Sequence, residues 1–139
     1  MVTDSVFLDA AYAIALSSPA DQFHSVAVGL AEQLETKGTH MVTTPAVLLE
    51  IGNALAKLQY RGAAARLLAA LCSDPNGEIV PFPDQLFLEG LKLYCERPDK
   101  EWGLTDCVSF VIMRARGIMG ALTTNEHFQQ AGFKALLRG

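Results

Sequence analysis

Short strand-like runs alternate with helix-length stretches along this 139-residue chain, and that alternation constrains its fold more than any other feature. The strand-like runs are Val6-Phe7-Leu8, His40 to Thr44, Glu78 to Phe82, Ile118 to Thr123 and Ala131 to Leu137. Between them lie helical stretches at Ala10 to Leu16, Gln22 to Thr36, Ala46 to Gln59, Ala63 to Cys72, Asp84 to Cys95 and Cys107 to Arg116. Strands joined through helices pair in parallel, and a parallel sheet needs cover on both faces. The expectation is an α/β chain with one sheet. No repeat or low-complexity segment interrupts it, so residues 1–139 are expected to form a single domain.

The local signals agree with this division. Asp21 is placed to cap the second helix, whose buried stripe would be Val26, Leu30 and Leu34. Gly38 is the expected left-handed residue after it. Thr44 is the natural N-cap of the helix that Pro45 opens, and Val47, Ile51, Ala54, Leu55 and Leu58 mark its apolar face. Asp74-Pro75-Asn76-Gly77 is a turn. Pro81 suggests that the strand containing it lies at a sheet edge. Leu86, Phe87, Leu91 and Tyr94 would bury the next helix, and Gly117 ends the one after it.

Half the chain is apolar and 19% is charged, the balance of a compact chain with a real core. No apolar run reaches the roughly 18 residues of a membrane span, and no basic segment followed by an apolar one opens the chain, so no membrane partner is expected and the expected location is the cytoplasm. The net charge of −4 lacks the positive excess usual in nucleic-acid-binding domains; it fits a site that gathers several carboxylates, or a chain that works beside a basic partner. Cys72, Cys95 and Cys107 form no CxxC pair and are expected to be reduced core thiols.

Four polar residues stand where packing would not choose them. Asp9 ends the first strand, Glu50 falls within an apolar helix face, Asp106 begins a strongly apolar helix, and Asn125 follows the strand ending at Thr123. In a parallel sheet the C-terminal ends of strands and the N-terminal ends of helices share one edge, where ligands bind. If the first and fourth strands are neighbours, the four residues face one groove. Carboxylates gathered there need a compensating charge, and no Lys or Arg lies near Asp9, Glu50 or Asp106 in sequence. A hard divalent cation, Mg²⁺ or Mn²⁺, is the partner that oxygen ligands fit. Each residue also has a plain structural role open to it: Asp9 and Asp106 as helix caps, Glu50 as a side chain reaching solvent, Asn125 as a turn residue. The set of four carries more weight than any member.

These segments resemble the PIN-domain family. Val6-Phe7-Leu8-Asp9 is similar to the family's opening strand and acid, and Thr44-Pro45-Ala46-Val47-Leu48-Leu49-Glu50 to its second block. Leu104-Thr105-Asp106-Cys107-Val108-Ser109-Phe110 is similar to the third block, and Ala121 to Phe128 followed by Ala131-Gly132-Phe133 to the fourth. The resemblance implies a three-layer α/β/α sandwich around a parallel sheet of four or five strands. It implies a Mg²⁺- or Mn²⁺-dependent endoribonuclease acting on RNA, of the kind found as VapC-type toxins, with an antitoxin protein as partner and a homodimer as the common assembly. By the same resemblance Asp9, Glu50 and Asp106 are metal-binding carboxylates. Asn125 is the fourth catalytic position, where the family often has Asp.

That departure keeps a second reading open, a catalytically weak PIN fold that binds RNA or protein. Thr44 and Thr105 are candidate hydroxyls for orienting the acids, with helix capping as the alternative. His127, the Arg97/Lys100 loop and Arg114/Arg116 are candidate phosphate contacts, with solvated charge as the alternative. Nucleotide-binding glycine motifs are absent, and Cys107 has no neighbouring base to make it a nucleophile.

Overall fold

The central strand of the sheet is β1 (Ser5–Leu8), whose three apolar residues are buried on both faces. The computed structural model describes residues 5–81 and 83–139. Around β1 stand β2 (His40–Thr43), β3 (Gly77–Ile79), β4 (Gly120–Leu122) and β5 (Lys134–Ala135), in the order β3-β2-β1-β4-β5. All pairs are parallel, with Phe7 opposite Val42 on one side and Ala121 on the other. Helices flank the sheet in the α/β/α arrangement expected, and β3 lies at an edge as Pro81 suggested. The chain moves outward from β1 through β2 to β3, then returns to the other side through β4 and β5. The crevice between the C-terminal ends of β1 and β4 is therefore the topological switch point, where α/β proteins bind ligands.

The first helices, α1 (Ala10–Ser17) and α2 (His24–Lys37), cover one flank. Asp21 sits just ahead of α2, its Oδ1 accepting from the Phe23 N–H at 2.8 Å. The buried stripe of α2 is Ala27, Leu30, Ala31 and Leu34 rather than one containing Val26, which is 44% exposed. Small Ala27 lets the helix approach the sheet closely, and the i, i+3, i+4, i+7 spacing from it defines the contact face. Gly38 adopts φ 62° and Gly117 φ 67°, the left-handed positions at which each helix ends.

The two helices expected at Ala46 to Gln59 and Ala63 to Cys72 are both present, but the break between them falls earlier. The stretch Ala46 to Gln59 breaks, so that α3 (Pro45–Ala54) ends at Leu55 and α4 (Leu58–Ser73) begins three residues later. No glycine or proline marks the break. Leu55 is buried in the core, and α4 folds back over α3 with Leu67, Leu68 and Leu71 against the same core. Tertiary packing overrides good helix propensity here. Leu58, expected to be buried, is 93% exposed at the start of α4.

The remaining helices are α5 (Asp84–Glu96), α6 (Leu104–Arg116) and α7 (Glu126–Gln130), the last within a segment expected to be loop. The buried face of α5 is Leu86, Gly90 and Leu93, and Tyr94 is exposed. α5 packs on α6 so closely that a Cβ at Gly90 would lie 2.5 Å from Val108 Cγ2. The long strand expected from Ala131 to Leu137 is only β5, followed by a 3₁₀ turn at Leu136–Arg138. The strand expected at Glu78 to Phe82 is described through β3 and the bond from Val80 N–H to Thr43 O; Phe82 lies outside the described residues. Cys72 and Cys95 are exposed, contrary to expectation, because α4 and α5 turn those positions to solvent; Cys107 is buried.

An aromatic cluster ties the two halves of the C-terminal region together. Phe110 on α6 meets Trp102 and Phe128 edge-on at centroid separations of 5.0 and 4.9 Å, and Trp102 Nε1 donates to Gln130 Oε1 at 3.0 Å. This fixes the start of α6 against α7, and with it the relative positions of Asp106 and Asn125.

Among the described residues, no helix is long and apolar enough to cross a membrane.

Candidate active site

Asp9, Glu50, Asp106 and Asn125 line one open groove of about 510 Å³. Four separate parts of the chain deliver them. Asp9 follows β1, Glu50 rides on α3, Asp106 lies in the first turn of α6, and Asn125 caps α7. The neighbouring of β1 and β4 supplies the condition on which this convergence depended.

Asp9 is only 5% exposed. Its Oδ2 accepts a hydrogen bond from Thr123 Oγ1 at 2.7 Å, and that hydroxyl in turn accepts from the Asn125 N–H at 3.0 Å. The end of β4 therefore holds the end of β1 through its first residue beyond the strand. Burial pushes the Asp9 carboxyl up to about 6 from its usual 3.8, and the negative charge of Asp106 adds to this. The Thr123 hydroxyl and the N–H groups of Ala10 and Ala11 pull the other way.

Glu50 differs from its expected setting inside a buried stripe. Val47 and Ile51 on the same helix are buried, but Glu50 itself is exposed and reaches the groove. α3 meets the core on one narrow face, so the position one turn from Val47 already lies at the rim. Its carboxyl is nonetheless raised to about 7, first by lost solvation within the groove and then by the charges of Asp9 and Asp106. The acids thus repel one another across shared space. Without a cation, Asp9 and Glu50 hold their protons more tightly than free carboxyls do.

Asp106 uses one oxygen twice. Oδ2 accepts from the Gly103 N–H at 3.2 Å and lies 3.1 Å from His127 Nδ1. An ionised carboxylate only accepts, so the Nδ1 of His127 carries the hydrogen. The N-cap is Gly103 rather than Asp106, and the first bond ties the Asp106 carboxylate back to that cap residue from the third helical position while Asp106 lines the groove.

Asn125 is held in a defined orientation. Its Oδ1 accepts from the His127 N–H at 2.9 Å and caps α7, and its Nδ2 donates to none of the described residues.

Several partners escaped the sequence reading. Thr123 orients Asp9, whereas Thr44 serves as a cap, accepting from Val47 N–H at 3.3 Å. Asn53, one turn beyond Glu50 on α3, lines the groove, and the i, i+3 spacing was the available signal. His127 turns to Asp106 rather than outward. The arginines considered for phosphate are engaged elsewhere: Arg97 pairs with Asp99 through two 3.0 Å bonds, Arg116 with Glu78 through two at 2.7 Å, and Arg114 donates to Ala131 O. The Cys107 thiol is pushed up by burial and then by Asp106, the reverse of an activated nucleophile.

The donor set is all oxygen, which suits a hard cation rather than zinc or copper. Among the described residues, no three ligand-type side chains are gathered into a finished coordination cluster.

Comparison with known proteins places this geometry in context. The crystal structure of a toxin from Mycobacterium tuberculosis, VapC20, described as cleaving the sarcin–ricin loop, superposes with a TM-score of 0.81 at 23% identity, over 94% of this chain and 97% of that one. No curated protein sequence matches the chain. The family model for the PIN domain matches residues 6–134, and the chain belongs to the PIN domain family.

Proposed function

We propose that this protein is a Mg²⁺- or Mn²⁺-dependent endoribonuclease, the VapC-type toxin of a type II toxin–antitoxin pair, acting in the cytoplasm. The observation that carries the reading is the meeting of three carboxylates from three chain segments in a groove with no Lys or Arg among the residues lining it. The negative charge that raises the proton affinity of Asp9 and Glu50 also attracts a cation. Asp9, Glu50 and Asp106 would hold the ion. Bound there, it would supply positive charge for the phosphodiester oxygens and an acidified water as nucleophile. Thr123 holds one Asp9 oxygen, and the Gly103 N–H and His127 hold one Asp106 oxygen, so each acid keeps its other oxygen for the ion. The PIN family match and the likeness to VapC20, described as cleaving the sarcin–ricin loop, support an RNA substrate; an antitoxin protein that covers the groove and a homodimer are what the VapC-type resemblance implies.

The test is cleavage of RNA by the purified protein with Mn²⁺, with Mg²⁺ and with EDTA. Activity is expected only with metal. Glu50→Gln and Asp106→Asn are expected to remain folded and lose activity; cleavage undiminished in both overturns the assignment.

A second reading, a catalytically weak PIN fold that binds RNA or protein, is favoured by one observation: Asn125 adds no charge to the groove, and one lone pair of its Oδ1 is taken by the His127 N–H. Metal-dependent turnover distinguishes the two.

A further inference from the structure

The groove poses an electrostatic problem for the substrate proposed above, and two amide side chains answer it. RNA is a polyanion, yet the ionisable residues lining the groove are Asp9, Glu50 and Asp106, with no cationic side chain beside them. Arg97, Arg114 and Arg116 are committed to partners outside it. The neutral hydrogen-bond donors that remain among the lining side chains are the amides of Asn53 and Asn125.

Both amides are available. Asn125 has its Oδ1 fixed by the His127 N–H, so its amide plane is set, and its Nδ2 makes no bond to the described residues. Asn53 likewise makes no side-chain bond to them. The two come from different elements, Asn53 on α3 one turn from Glu50 and Asn125 at the start of α7, its N–H bonded to the Thr123 hydroxyl that holds Asp9. A donor that neither pairs with the nearby carboxylates nor serves the fold suits an anionic oxygen brought by a ligand.

We infer that the Asn53 and Asn125 amides hydrogen-bond the phosphodiester oxygens of the bound RNA, positioning its backbone over the three acids. The inference rests on the ribonuclease reading for its substrate. Because the contacts are to phosphate, they are independent of base sequence.

The variants are Asn53→Ala, at an exposed helix position, and Asn125→Ser, whose hydroxyl can still cap α7. Binding of a fluorescein-labelled, mixed-sequence single-stranded RNA is followed by anisotropy in EDTA. Steady-state cleavage is measured with Mn²⁺, and Mn²⁺ affinity by calorimetry without RNA. Each variant is expected to weaken RNA binding and raise KM about tenfold, as for loss of one hydrogen bond to a charged group. Mn²⁺ affinity should stay within about twofold, since neither amide is among the carboxylate ligands. Unchanged RNA affinity in both variants overturns the inference. So does a parallel fall in Mn²⁺ affinity, which would make the amides supports of the ion. Absence of RNA cleavage by the unmodified protein would instead defeat the ribonuclease reading, and the anisotropy comparison would still decide the amide contacts.

Discussion

Thr123 Oγ1 donates to Asp9 Oδ2 at 2.7 Å across 114 residues of sequence, joining the ends of two adjacent parallel strands. The same oxygen receives the Asn125 N–H, so one hydroxyl links an acid, a strand end and the residue that caps α7. Thr123→Val keeps the shape and removes the hydroxyl. It leaves a buried carboxylate and a backbone N–H without their partner, a loss of about 1–3 kcal/mol in urea denaturation at neutral pH. Asp9 should titrate higher still, because the bond that favours its ionised form is gone. Mn²⁺ affinity should fall with it, as protons compete better. A Val variant with unchanged stability and Mn²⁺ affinity would contradict this account.

The acids make metal-free stability depend on pH with a definite sign. Asp9 titrates at about 6 when folded against 3.8 as a free side chain, so between those values the folded state holds a proton that the unfolded state has released. Stability must fall as pH rises through that window, by about 3 kcal/mol for this nearly fully buried group. Glu50, raised from 4.5 to about 7, acts in the same direction up to neutrality. Glu78 acts oppositely. The Arg116 hydrogen bonds hold it at about 2, so its contribution is present above 4.5 and is lost as pH falls toward 2. Asp9→Asn is therefore expected to melt higher than the unmodified protein in EDTA at pH 8, and no higher at pH 4. Saturating Mn²⁺ should raise the melting temperature of the unmodified protein at pH 8 and leave that of the variant nearly unchanged. A variant less stable than the parent at pH 8 in EDTA would contradict the burial account of Asp9.

Residues whose meaning is local were legible in the sequence. Asp9 after an apolar strand, Gly38 and Gly117 after helices, and Pro45 after Thr44 announce themselves through their immediate neighbours. The positions that misled are those decided by distant packing. Nothing in Leu55-Ala56-Lys57 breaks a helix, and only the fold of α4 over α3 explains why Leu58 faces water. Val26 has the same apolar character as Leu30, but Ala27 allows the closer approach and takes the core side. The contacts of His127 with Asp106, and of Thr123 with Asp9, join residues 21 and 114 positions apart, so pattern within a segment cannot reveal them.

The α5–α6 contact supplies a test independent of the site. Gly90→Ala would place a methyl 2.5 Å from Val108 Cγ2 and 3.2 Å from its Cα, so the helices must separate. A destabilisation of about 1–3 kcal/mol is expected, from overpacking that exceeds the gain in helix propensity. Gly29→Ala on α2 meets nothing within 4 Å and should stabilise by up to about 1 kcal/mol. Equal effects of the two substitutions in urea denaturation would mean that the close packing at Gly90 is wrong.

Asn125→Asp separates charge from shape at the fourth position of the groove. An aspartate oxygen can accept the His127 N–H as Asn125 Oδ1 does, so α7 should keep its cap and the fold should survive. The change converts the free Nδ2 donor into a second anionic oxygen. Added negative charge beside Asp9 and Glu50 makes their ionisation harder in the absence of metal, so the melting temperature in EDTA at pH 8 should fall. Mn²⁺ affinity should rise by about tenfold, since a fourth carboxylate strengthens the field on a divalent ion. RNA binding should move the other way, because a donor to phosphate has become a repelling charge. The expected signature in steady state is a higher KM for RNA together with a lower Mn²⁺ requirement. Tighter metal binding with an unchanged or lower KM would show that Asn125 is simply a weaker metal ligand and has no contact with the substrate.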